Sequence, residues 1–234
     1  MKNILEGLLA KLFDIRLMLS SEKYKQRYKY WSNKMKKIVL IAMGITACIG
    51  LTGCGNSTNS SRIDSDQPLV KVGQYHEADS EDPKMTLIAI KDINKTVKVD
   101  QASFKLKRAK LIKMEAKNKS QKSDDETNFG VSLPNTYYEY QLSYTIKNNS
   151  NSQINDNGAE LILPNGDQLS SNKGAIDSLV GERIQPHASK SGILQAKVSK
   201  NYKDKLTNFK FVSPQLFDNE FTKVNIQQHT INLN

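Results

Sequence analysis

The run Tyr137–Lys147 constrains the fold more than any other stretch of this chain. Tyr138, Tyr140, Leu142, Tyr144 and Ile146 occupy alternate positions, with Glu139, Gln141, Ser143, Thr145 and Lys147 between them. Successive side chains of a β-strand point to opposite faces, so this alternation marks a strand buried on one face. A helical repeat counted from Tyr138 meets apolar residues at 142 and 146 but polar ones at 141 and 145. The pattern therefore favours strand over helix. Tyr138, Tyr140 and Tyr144 share a face with Leu142 and Ile146 and are expected in the core. Tyr137 lies on the other face and is the expected exposed contact residue, since tyrosine is favoured at interfaces.

A half-buried strand needs partners, and the chain supplies short strand-like runs on both sides. Met85–Ile90, Thr96–Val99 and Phe104–Met114 precede it; Glu160–Leu163, Leu194–Val198, Phe209–Phe211, Phe221–Ile226 and Thr230–Leu233 follow. Turn clusters separate them. In Pro164-Asn165-Gly166-Asp167 the Asn-Gly pair is a strong hairpin signal because both residues tolerate positive φ. Lys117–Asn135 is polar, contains Asp124-Asp125-Glu126, and reads as a long loop. With no convincing helical pattern after Cys54, residues 85–234 are expected to form an all-β, antiparallel β-sandwich.

The N-terminal part is built differently. Residues 55–84 are rich in Ser, Asn, Asp and Gly and read as a flexible tether, since such a composition cannot bury a core. Ile38–Leu51 carries no charge and follows Met35-Lys36-Lys37. A run of this length suits a signal-peptide core better than a spanning helix, which needs about 20 apolar residues. At its end, Leu51-Thr52-Gly53-Cys54 resembles the lipobox of bacterial lipoproteins. That resemblance implies cleavage between Gly53 and Cys54, a lipid on Cys54, and a domain held at the extracytoplasmic face of the cell membrane; a short uncleaved anchor is the alternative. Residues 1–34 have two readings. Ile4, Leu5, Leu8, Leu9, Leu12 and Phe13 give Asn3–Leu19 an amphipathic pattern suited to a membrane surface. Alternatively, translation starts at Met35.

The net charge of +10 over 234 residues divides unevenly at Cys54. Residues 1–53 hold ten Lys/Arg and three Asp/Glu, leaving 24 against 21 from Cys54 onward. The charge is thus expected to serve targeting rather than binding, and nucleic acid is not an expected partner. The two cysteines, Cys48 and Cys54, leave the domain no disulfide framework or cysteine metal site.

Motifs for chemistry are sparse. His76, His187 and His229 lie far apart without an acidic partner at ligand spacing, and exposed positions are expected for all three. Asn155-Asp156-Asn157-Gly158 echoes a calcium loop, but the twelfth position is Pro164 where a bidentate Glu is required. Ser170-Ser171-Asn172-Lys173 matches a Ser-x-x-Lys element, yet the chain has no Lys-Thr-Gly to complete it. No catalytic, cofactor or metal residue is assigned.

Tyr138–Ile146 with Lys147-Asn148-Asn149-Ser150, Leu161–Leu163 with Asn165-Gly166, and Ile184-Gln185-Pro186 ahead of Gly192-Ile193-Leu194 resemble a known family. It is the immunoglobulin-like domain of unknown function found in exported lipoproteins of Gram-positive bacteria. The likeness spans about Tyr137–Val212. The family often has Gly after the proline, where this chain has His187-Ala188, so the turn there is expected to differ. The resemblance implies a fold and a location but no catalytic residues. The expected function is a non-catalytic binding module, with another envelope protein or a wall polymer as partner. An envelope enzyme whose site assembles only in the fold is the alternative.

Overall fold

The structure, a computed structural model, describes residues 60–77, 83–171, 173–218 and 224–234. In chain order the strands are β1 (Ser61–Arg62), β2 (Gln74–His76), β3 (Lys84–Val99), β4 (Ala102–Glu115) and, after helix α1 (Lys119–Phe129), β5 (Thr136–Asn148). Then come β6 (Ile154–Asp156), β7 (Glu160–Ile162), β8 (Gln168–Ser171), β9 (Gly174–Asp177), β10 (Arg183–Ile184) and β11 (Ser189–Val198). The last are β12 (Lys210–Val212), β13 (Leu216–Phe217), β14 (Val224–Ile226) and β15 (Thr230–Asn232). The fold is the expected all-β, sandwich-like architecture.

Strand β5 pairs antiparallel with β4 on one side and β11 on the other. The hydrogen-bonded order β1-β2-β3-β4-β5-β11-β9-β8-β7-β12-β15 then folds back over its own apolar face. The returning layer brings Phe209 and Phe211 against the aromatic side of β5. Tyr140 stacks on Phe209 at 4.3 Å between ring centroids, Tyr144 lies 5.1 Å from Phe211, and Phe104 of β4 lies 6.2 Å from Phe211. Offset and tilted aromatic pairs of this kind add to the burial of their area. A second sheet, β10-β6-β13-β14, contributes Ile184, Ile154, Leu216 and Ile226 to the same core. Lys95 of β3 reaches the C-terminal strand, its Nζ donating to the carbonyls of Asn232 (2.8 Å) and Asn234 (2.9 Å).

The runs Met85–Ile90 and Thr96–Val99 prove to be one continuous strand, β3, whose register shifts between Leu87 and Ala89 and again between Asp92 and Lys95. Such bulges interrupt the alternation that sequence periodicity relies on. The stretch expected to be a tether contains ordered segments. Within 54–84, β2 joins the edge of β3 and Leu69 is buried. Edge pairing uses backbone groups, so a polar composition does not forbid it.

The Lys117–Asn135 loop is also corrected: it contains α1. The helix lacks an apolar stripe, so periodicity is silent, but its ends are capped. Asn118 Oδ1 accepts from Gln121 N at 2.9 Å, and Gly130 closes it at φ 65°. Tyr137 is not exposed. It is only 2% accessible, packs edge-on against Phe129 at 6.2 Å, and donates its hydroxyl to Asp125 Oδ2 at 3.0 Å. The far face of β5 is thus covered at this end by the helix that sequence reading missed.

The residues behind the family resemblance do structural work. Buried Asn148 donates to the carbonyls of Ser152, Ile184 and Gln185 at 2.7–3.2 Å and accepts from Ser150 N. The Asn165-Gly166 hairpin forms, with Leu163 N donating to Asp167 O at 2.8 Å. Only Gly166 takes positive φ there (93°), which is the glycine-bulge form and not the two-residue primed turn. Gln185-Pro186-His187-Ala188 closes with Ala188 N donating to Gln185 O at 3.1 Å, and His187 adopts φ 60°. A turn with proline second and a positive φ third favours glycine in the third place. His187→Gly should therefore raise stability by about 1 kcal/mol, measured as an increase in Tm; a decrease would show that the His187 to Asn151 contact outweighs the backbone cost.

Candidate functional site

Strand β4 carries Lys105, Lys107, Arg108, Lys110 and Lys113 within nine residues. Ala102, Phe104 and Leu106 face the core, which turns Ser103 and Lys105 outward. The register shift between Leu106 and Arg108 makes Lys107 an extra residue, after which Ala109 and Leu111 face the core. Arg108 and Lys110 then point outward with Lys105. The bulge thus lets consecutive basic residues share one face.

Cross-strand register arranges this outer face in rows. Lys98, Ser103, Lys147 and Ser189 form the first, and Thr96, Lys105, Thr145 and Ser191 the second. Asp92, Arg108, Ser143 and Ile193 form the third; Ile90, Lys110, Gln141 and Gln195 the fourth. The next two rows, Leu87-Ile112-Glu139 and Met85-Met114-Tyr137, are apolar or buried. The face therefore has a cationic, hydroxyl-lined half, open on β3, β4 and β5 but closed on β11 at buried Ile193 and Gln195, and a covered half. Rows lie about 6.8 Å apart along the strands and strands about 4.8 Å apart, so its charges are spread over a surface and not gathered in a pocket.

Negative charge is scarce here. Arg108 pairs with Asp92 at 2.5 Å. Lys107 donates to Ser191 Oγ at 3.1 Å, and that hydroxyl also meets Thr145 Oγ1 at 2.7 Å. Lys98, Lys105, Lys110 and Lys147 form no ion pair among the described residues. Partial burial and the Arg108 charge push Lys110 down to about 8, and burial with the neighbouring Lys105 lowers Lys107. A small net charge after Cys54 thus conceals an uneven distribution.

Glu139 bounds the open half. Its Oε1 accepts from Gln141 Nε2 and Gln195 Nε2, both at 2.7 Å, and burial raises it to about 7. A second acidic group lies in the core. Asp177 accepts from the Tyr144 hydroxyl at 2.7 Å, Ala159 N at 2.6 Å and Leu179 N at 3.1 Å. Nearby Asp156 accepts from Gly158 N at 2.5 Å, while its Oδ2 has no partner among the described residues. Burial, followed by the Asp177 charge, raises Asp156 far above the carboxylate range. We read Asp156 as the protonated member. This is the Asn155–Gly158 stretch that echoes a calcium loop; no group of three or more His, Cys, Asp or Glu suited to a metal occurs among the described residues. Tyr144, Asp156 and Asp177 are fully enclosed and tie β5 to the loops after β6 and β9.

The remaining expected sites are dispersed. Cys54 and Gly53 lie outside the described residues, as do residues 1–53 and Asn172. His187 and His229 are exposed as expected, but His76 is buried. Its Nε2 donates to Gln67 O at 2.7 Å, and burial depresses its basicity. Ser170 and Ser171 lie in β8, not at a helix start. Asp124, Asp125 and Glu126 belong to α1, where Glu126 Oε1 accepts from Leu133 N at 2.9 Å.

No protein-family model and no curated protein matches the chain. Among solved structures it is similar to a functionally unknown protein from Listeria monocytogenes EGD-e, at 11% identity and a TM-score of 0.43, covering 63% of this chain and 86% of that one. It is also similar to the yjhA protein from Bacillus subtilis, at 14% identity and a TM-score of 0.41, covering 60% and 97%.

A pH prediction follows from Glu139. Its raised pKa means the folded state binds the proton more tightly, so the contribution of Glu139 to stability is fully present below the ordinary 4.5 and is lost as pH rises toward about 7. Across that window the cost is about 3 kcal/mol. Glu139→Gln should flatten this decline and be the more stable protein at pH 8 by chemical denaturation; an unchanged pH profile would contradict the assignment.

Proposed function

We propose that this protein is a lipid-anchored component of the bacterial cell envelope whose β-sandwich is a non-catalytic binding module. Cys54 carries the anchor, the membrane is its first partner, and the domain works outside the cytoplasm. The observation that carries the binding role is the open half of the outer face. Its lysines share one surface with few acidic partners, and such a surface lowers its electrostatic energy when it receives an anionic partner. The targeting half rests on the pattern Leu51-Thr52-Gly53-Cys54 behind an uncharged run.

Two measurements test the halves separately. Intact-mass analysis of membrane-extracted protein should give a chain starting at Cys54 with added acyl mass, and Cys54→Ala should move the protein from membrane to medium. Retention of the variant in the membrane would contradict lipid anchoring. For binding, photo-crosslinking on intact cells from a photoreactive group placed at exposed Thr96 should capture a partner when the lysines are native and much less when Lys105→Glu/Lys147→Glu is added. Equal capture in both cases would remove the outer face from the function.

A further inference from the structure

We infer that the ligand of the open outer face is an extended phosphodiester polymer, a chain of backbone phosphates laid across β3, β4, β5 and β11. This rests on the binding-module reading and names its partner by chemistry. Lysine supplies most of the cations: Lys98, Lys105, Lys107, Lys110 and Lys147 stand in or beside the first four rows, while Arg108, the arginine among them, is engaged by Asp92. Lysine binds phosphate as a point charge and imposes no fork geometry, so a row of lysines suits a flexible anionic backbone whose charges need not align bidentately. Thr96, Ser103, Ser143, Thr145, Ser189 and Ser191 interleave with the lysines. Hydroxyls can donate to phosphate oxygens while accepting from neighbours. The charges recur from row to row without converging, which suits a repeating anion and not a single one.

A lipid surface fits less well. The exposed large hydrophobic residues are Val70, Val72 and Val180 among the described residues, and none belongs to β3, β4, β5 or β11. The face therefore has no apolar side chain ready to enter a bilayer, which interfacial elements use beside their charges.

The test compares the mature lipidated protein, extracted from membranes in mild detergent, with a Lys98→Gln/Lys105→Gln/Lys147→Gln variant prepared in the same way. Probes are poly(glycerol phosphate), polyglutamate of matched length and charge, and vesicles of equimolar phosphatidylglycerol and phosphatidylcholine. All three lysines are exposed, so an unchanged thermal transition is expected. The phosphate polymer should bind the native chain most tightly, and the variant should lose about tenfold or more in affinity. The log–log salt dependence should become shallower by about 2–3, the loss of three phosphate contacts. Lys→Arg at the same positions should retain phosphate binding. Equal binding of polyglutamate would overturn the phosphate assignment, tighter binding of vesicles would make the partner a membrane, and an unaffected variant would place any binding elsewhere. If these fail while cell crosslinking still depends on Lys105 and Lys147, the binding module stands and its partner's chemistry is different.

Discussion

The two faces of β5 are held in one register by ten cross-strand pairs to β11 and a ladder to β4, and the rest of the molecule is arranged around that constraint. A slip of one residue would exchange the faces, placing Tyr140, Leu142, Tyr144 and Ile146 outside and Gln141, Ser143, Thr145 and Lys147 in the core. Several interactions resist such a slip. Tyr140 gives its hydroxyl to Leu206 O at 3.0 Å, Tyr144 gives its hydroxyl to Asp177, and the rings meet Phe209 and Phe211. Buried hydroxyls must find acceptors, so each tyrosine also fixes the segment that receives it. Gly192 serves the same layer: a Cβ there would lie 2.4 Å from Leu179 Cγ, so the turn carrying Leu179 can close onto β11 only over glycine.

With the inner face committed to the core, the outer face carries what specificity the domain has. It is divided along its length. One end is covered by α1 through Phe129 and the Tyr137–Asp125 hydrogen bond, and the other is open with lysines alternating with hydroxyls. Glu139 stands at the division. The carboxylate that bounds the open rows on β5 is thus desolvated and partly protonated near neutrality, so it offsets little of their charge.

The fold was legible in the sequence where alternation is unbroken and illegible where backbone geometry intervenes. Tyr138–Lys147 announces its strand because β5 runs without a bulge. β3 is harder to see because two register shifts reset its alternation. Helix α1 is held by caps, one aromatic contact and side-chain hydrogen bonds, none of which leaves an apolar period; Asn118 and Gly130 were the available signals. Tyr137 was misplaced for the same reason, since its burial depends on that helix. The cationic face was partly legible in Phe104–Lys113, but net charge after Cys54 averaged it away. The Tyr144–Asp177–Asp156 cluster could not be read at all, because three distant segments supply it. Its positions become meaningful only once β5, β6 and β9 are packed together.

The central claim is that the two faces of β5 divide the work, with packing inside and ligand outside. Backbone amide NMR shifts during titration with poly(glycerol phosphate) test it most directly. The account predicts shifts concentrated at Lys98, Ser103, Lys105, Thr145, Lys147 and Ser191, with α1 and the Pro164–Asp167 hairpin unmoved. Shifts confined to α1 or to that hairpin, with the open rows unchanged, would contradict it.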